Sequence, residues 1–236
     1  MNKEFIQEQY KGAYKMARKL LRGKYNDPLS CEIHDYFDSE NSHNCLGCNL
    51  AEVESQFISF LKHYKRFNSE NESFTIFILL AYLIVERIEQ VMKLMELPES
   101  YRHENFQTLI TIRRWANFKK HPKSFMVVHH PSYIYENDPQ IETIKEGKII
   151  IDIAFINTYY GGGSRNNELF KILDNKTNVL VVYPNIEILT QSFCLEIRKF
   201  IDLIRDNSVF RHILNQKSTI ENFYSREEDD EIKTDN

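Results

Sequence analysis

The segment from residue 73 to 97 constrains the fold of this chain most strongly, because it is the most apolar stretch of the sequence. Its first half is apolar nearly all round, and its second half keeps one apolar side on which Ile84 and Ile88 lie one helical turn apart. A helix that is apolar on every side must be buried. The segment therefore predicts a central helix of a bundle, with Ser73 as its N-cap and Pro98 beyond its end.

Helical periodicity continues on both sides of this central segment, whereas strand signals are short and confined to the second half of the chain. Only 7 glycines and 6 prolines occur in 236 residues, which favours helices over a turn-rich β fold. The further predicted helices are 3–22, 50–67, 105–121 and 185–206, with 208–215 as a continuation. The predicted strands are 124–129, 148–155 and 178–183. The expected fold class is mainly α, a helical bundle with a small flanking β-sheet (α+β).

This pattern divides the chain into three parts. Residues 1–122 are expected to form the helical bundle, interrupted by a polar loop at 26–49. Residues 123–216 are expected to form the small sheet and a long C-terminal helix that packs on the same core. Residues 217–236 are strongly acidic and lack apolar periodicity, which predicts a disordered tail.

The polar loop at 26–49 contains three of the four cysteines. A long loop inside a compact domain needs something to hold it. The spacing is C-x2-H, ten residues, then C-x2-C, and two short-spaced pairs suit a tetrahedral structural zinc. The predicted zinc ligands are Cys31, His34, Cys45 and Cys48. His43 is an alternative to His34. Two alternatives remain: the cysteines can be ordinary thiols, or Cys45 and Cys48 can form a redox pair. Cys194 lies on an apolar helix side and is expected to be a buried small side chain.

The helix predicted at 105–121 has two unlike faces. Leu109 and Trp115 fall on an apolar arc at about 100° per residue. Arg114, Asn117 and His121 are spaced +3 and +4, so they form one polar stripe on the other side. Pro122 ends the helix. A cation, an amide and an imidazole in line form the clearest chemical pattern in the sequence.

Arg114 and His121 have six residues between them, which resembles the R-x4–6-H signature of HEPN ribonucleases. Domains of that family are all-helical, and the motif lies on a helix that faces its counterpart in a dimer. The resemblance covers about the first half of the chain. The family usually places a small polar residue directly after the arginine, where this chain has Trp115, and Asn117 offers a polar group on the same stripe.

The resemblance implies a metal-independent endoribonuclease that works as a homodimer, with a role as a toxin or an effector of antiviral defence. An imidazole near neutral pKa moves protons, and a guanidinium binds phosphate and stabilises negative charge. Arg114, Asn117 and His121 are the predicted catalytic residues. The predicted contacts to the RNA backbone are Arg113, Lys119, Lys120 and Lys123.

Other interpretations of the same residues remain open. The stripe can be a solvated basic face on which His121 stabilises the helix end. The chain can then be a non-enzymatic, zinc-stapled interaction or adaptor protein that binds a partner through its basic helix or its acidic tail. Residues 161–165, three glycines followed by Ser and Arg, suggest a third possibility, a loop for a nucleotide or small ligand. His129 and His130 before a proline are expected to be turn residues.

Charge and hydropathy place the chain among cytoplasmic proteins with no membrane association. The net charge of −4 argues against a basic surface over the whole molecule. The longest apolar run, at 76–85, is far shorter than the roughly 20 residues of a membrane span. No signal-peptide pattern occurs at the start of the sequence.

Overall fold

The computed structural model describes residues 12–22, 46–120, 130–160 and 178–214, together with the single positions 216, 218, 221 and 225. These parts are mainly helical and include a small parallel sheet, which confirms the predicted fold class. The helices are α1 (Ala13–Arg22), α2 (Leu46–His63), α3 (Glu70–Leu94), α4 (Glu99–Asn105), α5 (Gln107–Lys120), α6 (Ile141–Lys145), α7 (Ile153–Tyr159), α8 (Ile186–Asp206) and α9 (Ser208–Leu214), with a 3₁₀ turn at Tyr64–Arg66. The strands are β1 (Ser132–Tyr135), β2 (Ile149–Ile151) and β3 (Val179–Tyr183).

Five of the helices pack in a closed ring. Helix α3 contacts α2 and α5, α8 contacts α5 and α1, and α1 returns to α2. The apolar side of α3 faces the core, where its buried side chains include Phe77 and Ile84. Leu79 and Leu83 on its other side are exposed, so α3 is one member of the ring and is not enclosed on every side as its sequence predicts. The bundle predicted for residues 1–122 is thus completed by α8 from the later part of the chain, and one hydrophobic core contains residues of both parts.

The three parallel strands lie in the order β1-β3-β2. All five residues of the central strand β3 are buried, as expected for a parallel strand covered on both faces. Val179, Val181 and Tyr183 join the helical core, whereas Leu180 and Val182 pack with residues of α6 on the opposite face. The sheet therefore lies between the bundle and α6.

A buried aromatic cluster joins the bundle to the sheet. Trp115 of α5 is fully buried, and its ring centroid lies 5.2 Å from that of Phe74 in α3 and 5.6 Å from that of Tyr183 in β3. The ring of Phe118 packs edge-on against the same indole at 5.5 Å. A buried aromatic side chain removes about 150–250 Å² of surface from contact with water. The packing of these rings therefore stabilises the position of α5 against the sheet.

Helix α3 begins earlier than its sequence predicts. Ser69, not Ser73, is the N-cap, and its hydroxyl oxygen accepts a hydrogen bond from the backbone N–H of Glu72 at 3.3 Å. The predicted cap was wrong because Ser73 lies in the first turn of the helix. Its hydroxyl there contacts the hydroxyl of Tyr135 at 2.8 Å and the carbonyl oxygen of Ser69 at 3.1 Å.

The strand predicted at 148–155 is correct only in its first part. Strand β2 ends at Ile151, and Asp152 then caps α7 by accepting a hydrogen bond from the backbone N–H of Phe155 at 3.0 Å. Strand β1 was not predicted. The strand predicted at 124–129 lies outside the described residues, as do the first residues of the predicted helix 3–22.

Three other helix boundaries differ from the sequence prediction. Helix α2 begins at Leu46, inside the predicted loop 26–49. A separate short helix, α4, occupies the expected connection before α5. Helix α8 ends at Asp206, and Asn207 separates it from α9. The elements described up to Lys120 are all helices, and the sheet belongs to the later part of the chain.

Candidate functional site

Helix α5 carries two residues of the predicted stripe, Arg114 and Asn117, on its outer face. Leu109, Trp115 and Ala116 are buried on the inner side, whereas Arg114 and Asn117 are partly exposed. The start of α5 is fixed from outside by Glu196 of α8. Its carboxylate accepts hydrogen bonds from the backbone N–H groups of Thr108, at 2.8 and 3.0 Å, and Leu109, at 3.0 Å. These N–H groups have no partner within the helix, so the carboxylate satisfies them.

Arg114 is held by an amide and not by a carboxylate. One terminal nitrogen of its guanidinium, Nη1, donates a hydrogen bond to the side-chain oxygen of Asn157 in α7 at 2.7 Å. Its Nε atom is buried and has no hydrogen-bond partner in the described parts of the chain. None of the ion pairs among the described residues includes Arg114. The amide fixes the guanidinium but leaves its charge uncompensated by these residues.

This arrangement lowers the pKa of Arg114. Partial burial lowers the pKa from its ordinary value, and the neighbouring cation Arg113 lowers it further. An arginine nevertheless stays protonated at neutral pH. A bound anion would relieve both effects, because it would replace lost hydration and oppose the repulsion between the two cations.

Arg113 differs from Arg114 because its charge is already paired. Its Nη1 atom lies 2.7 Å from a carboxylate oxygen of Glu89 in α3. Burial raises the pKa of Glu89, and the attraction of Arg113 opposes that rise. Arg113 therefore has less unpaired charge available for the predicted RNA binding than Arg114 has.

Lys119 points into the molecule. Its ammonium contacts the side-chain oxygen of Asn71 at 2.6 Å and the hydroxyl of Tyr183, and it lies 4.6 Å from the centroid of the Tyr183 ring. Burial lowers the pKa of Lys119 to about 8. The prediction of a contact to an RNA backbone does not suit this position, because the amine is enclosed by the protein.

Lys120, the last residue of α5, is exposed. Its ammonium lies 3.7 Å from the centroid of the Tyr82 ring of α3, a cation–π contact that leaves the side chain at the surface. Among the predicted RNA contacts within the described residues, Lys120 is the one that keeps an accessible charge.

Several predicted site residues cannot be compared with the fold. The residues that lie outside its described parts are Cys31, His34, Cys45, His121, His129 and Lys123, together with the loop at 161–165. Cys48 belongs to the first turn of α2 by its backbone. Cys194 is buried, as predicted. The described side chains include no group of three His, Cys, Asp or Glu residues that would hold a metal.

Asn157 was not predicted as a site residue. It lies in α7, just after a segment whose β-branched residues favour a strand, and 43 positions separate it from Arg114 in the sequence.

Within the described ranges, no helix combines the length and the hydrophobicity that a membrane crossing requires. Comparison of the chain with protein-family models, with curated proteins and with solved structures found no match.

Proposed function

We propose that this chain is a HEPN-like, metal-independent endoribonuclease in which the exposed stripe of α5 binds a phosphodiester. The observation that carries the proposal is the hydrogen bond from Arg114 to Asn157, which orients a guanidinium without neutralising it. A guanidinium in this state attracts a phosphate, and its remaining N–H groups can donate charge-assisted hydrogen bonds to the phosphate oxygens. Its free charge also suits the stabilisation of charge that develops during cleavage.

The chemistry assigns one role to each residue of the stripe. The RNA 2′-hydroxyl attacks the adjacent phosphorus, the bond to the 5′-oxygen breaks, and a 2′,3′-cyclic phosphate and a 5′-hydroxyl result. His121, which directly follows α5 in the sequence, takes the proton from the 2′-hydroxyl or gives one to the leaving oxygen. Asn117 orients the phosphate one turn from Arg114, and Lys120 contacts the neighbouring backbone.

A homodimer completes this mechanism, because two copies of His121 supply both an acid and a base. The expected molar mass in solution is twice the 28.2 kDa of one chain. Sedimentation equilibrium measures it directly. A role in toxicity or antiviral defence belongs to the same proposal.

The decisive experiment is RNA cleavage by the folded protein with and without chelator. Wild type should cleave in both, leave 2′,3′-cyclic phosphate ends, and lose activity in Arg114→Ala and His121→Ala. Arg66→Ala and His103→Ala are the matched controls, because each removes the same side-chain type outside the stripe and should retain activity. Far-UV circular dichroism checks that every variant is folded.

Two results would contradict the proposal. One is the absence of cleavage by folded wild type across structured and single-stranded RNAs. The other is cleavage that the two stripe variants leave unchanged. Either result would favour the interaction protein, with the basic helix as a surface for a partner protein.

A further inference from the structure

A cleft opens at the carboxyl ends of two neighbouring strands. Strands β1 and β3 are parallel and adjacent, with Tyr135 aligned to Tyr183, so both chains leave the sheet at the same edge. Helix α8 begins at this edge, and the start of α3 forms the opposite side. In open sheets of parallel strands, ligands bind in crevices at the carboxyl ends of the strands. Of the stripe residues that the structure describes, neither Arg114 nor Asn117 lines this cleft.

The cleft has a volume of about 580 Å³, within the range of small-molecule sites. Its walls combine polar groups with an apolar surface. Phe67 and Ile188 supply the apolar part, and 37% of Ile188 is exposed to solvent. Tyr135 contributes a hydroxyl that contacts the hydroxyl of Ser73 at 2.8 Å. A ligand with one flat apolar side and several hydrogen-bonding groups suits such walls.

The carboxylate of Glu187 is held in one position in the cleft by two contacts. One oxygen of its carboxylate, Oε1, accepts a hydrogen bond from the hydroxyl of Tyr64 at 3.0 Å and lies 2.7 Å from the ammonium of Lys65. Its second oxygen, Oε2, receives no hydrogen bond from any residue in the described ranges. The carboxylate is therefore held in place at one oxygen and offers the other to a donor on a ligand.

The same geometry disfavours a phosphate. The backbone N–H groups of Glu187 and Ile188, which would hold an anion at the start of α8, already donate to the side chain of Asn185 at 2.9 and 3.1 Å. Among the described residues that line the cleft, Glu70 and Glu187 carry carboxylates, and Lys65 is the one cation. A neutral ligand that donates hydrogen bonds fits this charge, and a dianion does not.

We infer that the cleft binds a nucleoside, with its base against the apolar wall and an N–H or O–H donor on Glu187. A nucleoside has the required flat face, the required donors and no phosphate. The inference goes beyond the proposed ribonuclease activity and does not depend on it, because the two sites use different residues.

The test is isothermal titration calorimetry of the full chain with adenosine, guanosine, cytidine and uridine, with each 5′-monophosphate, and with glucose. At least one nucleoside should bind, at least about ten-fold more tightly than its monophosphate. Glu187→Gln should weaken binding by at least about ten-fold, because the second carboxylate oxygen becomes a donor. Tyr135→Phe, which removes one hydroxyl from the wall, should weaken it less.

Glu142→Gln is the matched control, since it removes an exposed carboxylate on α6, outside the cleft, and should bind as wild type does. Thermal melting checks that each variant is folded. The inference is overturned if no nucleoside binds at millimolar concentration, if glucose binds and nucleosides do not, if monophosphates bind as tightly as nucleosides, or if folded Glu187→Gln and Tyr135→Phe both bind as wild type does.

Discussion

The guanidinium of Arg114 is oriented by the side-chain amide of Asn157 across 2.7 Å, and no carboxylate among the described residues pairs with it. The neighbouring Arg113 has the opposite arrangement, since it pairs with Glu89 at the same distance. Two adjacent arginines on one helix therefore differ in available charge. On this difference we propose anion binding for Arg114, whereas Arg113 forms an ion pair within the protein.

Changing Asn157 to Asp tests this assignment with almost no change in shape. The new carboxylate would lie beside Arg114 and neutralise it, so RNA binding and cleavage should fall by at least about ten-fold. The melting temperature should stay the same or rise, because a partly buried cation gains a counter-charge. Fluorescence anisotropy with labelled RNA measures affinity, and a cleavage assay measures rate. Asn178→Asp adds the same charge at an exposed position outside the cleft. An Asn157→Asp protein as active as this control would refute the assignment.

Lys119 should give the protein an unusual pH dependence. Its pKa is lowered to about 8 by burial, whereas an unfolded lysine titrates near 10.4. Between these values the unfolded chain holds a proton that the folded chain has released, so stability should rise with pH. The expected slope is on the order of 1 kcal/mol per pH unit between about pH 8 and pH 10. Lys119→Met should remove it.

Urea unfolding across this range measures the slope. Lys62→Met, at an exposed position of α2, is the control and should keep the wild-type slope. Equal slopes in wild type and Lys119→Met would show that Lys119 titrates normally in the folded protein.

The capping carboxylate of Glu196 should contribute measurably to stability. Glu196→Ala leaves the backbone N–H groups of Thr108 and Leu109 without their acceptor, which should lower the free energy of unfolding by about 1–3 kcal/mol. Glu196→Gln should cost less, because an amide oxygen still accepts a hydrogen bond but lacks the charge that favours a helix start. Glu142→Ala, with a side chain 84% exposed, should change little. A loss no greater than that of this control would mean that the cap is not stabilising.

The cysteine loop should bind one zinc ion per chain. Protein purified with zinc and dialysed should retain about one equivalent by elemental analysis, and Cys31→Ser or Cys45→Ser should lose it. Cys194→Ala is the control, because this buried cysteine lies in α8, far along the sequence from the cysteine loop. Chelation should lower the melting temperature, since a structural metal contributes to folding. Wild type that retains no zinc would contradict the predicted site.

Much of the architecture follows from local periodicity. The apolar repeat of α3 and the two faces of α5 are visible in the sequence because helical spacing brings residues three and four apart onto one side. The buried position of Trp115 follows from the same rule. The ends of helices and strands were harder to predict where the sequence favours both a strand and a helix. At 148–155 the run of isoleucines favours a strand, yet Asp152 ends it, because its side chain caps the helix that follows.

The sequence by itself determined the fold class, the apolar side of α3 and the polar stripe on α5, because each depends on side chains close together in the chain. Only the tertiary structure decided which cation stays available. Glu89 pairs with Arg113, Asn157 orients Arg114, and Asn71 and Tyr183 enclose Lys119. Each partner comes from a distant segment that the packing of the bundle and sheet brings into contact. Spacing along the chain carries no information about such contacts, and the chemistry of the stripe depends on them.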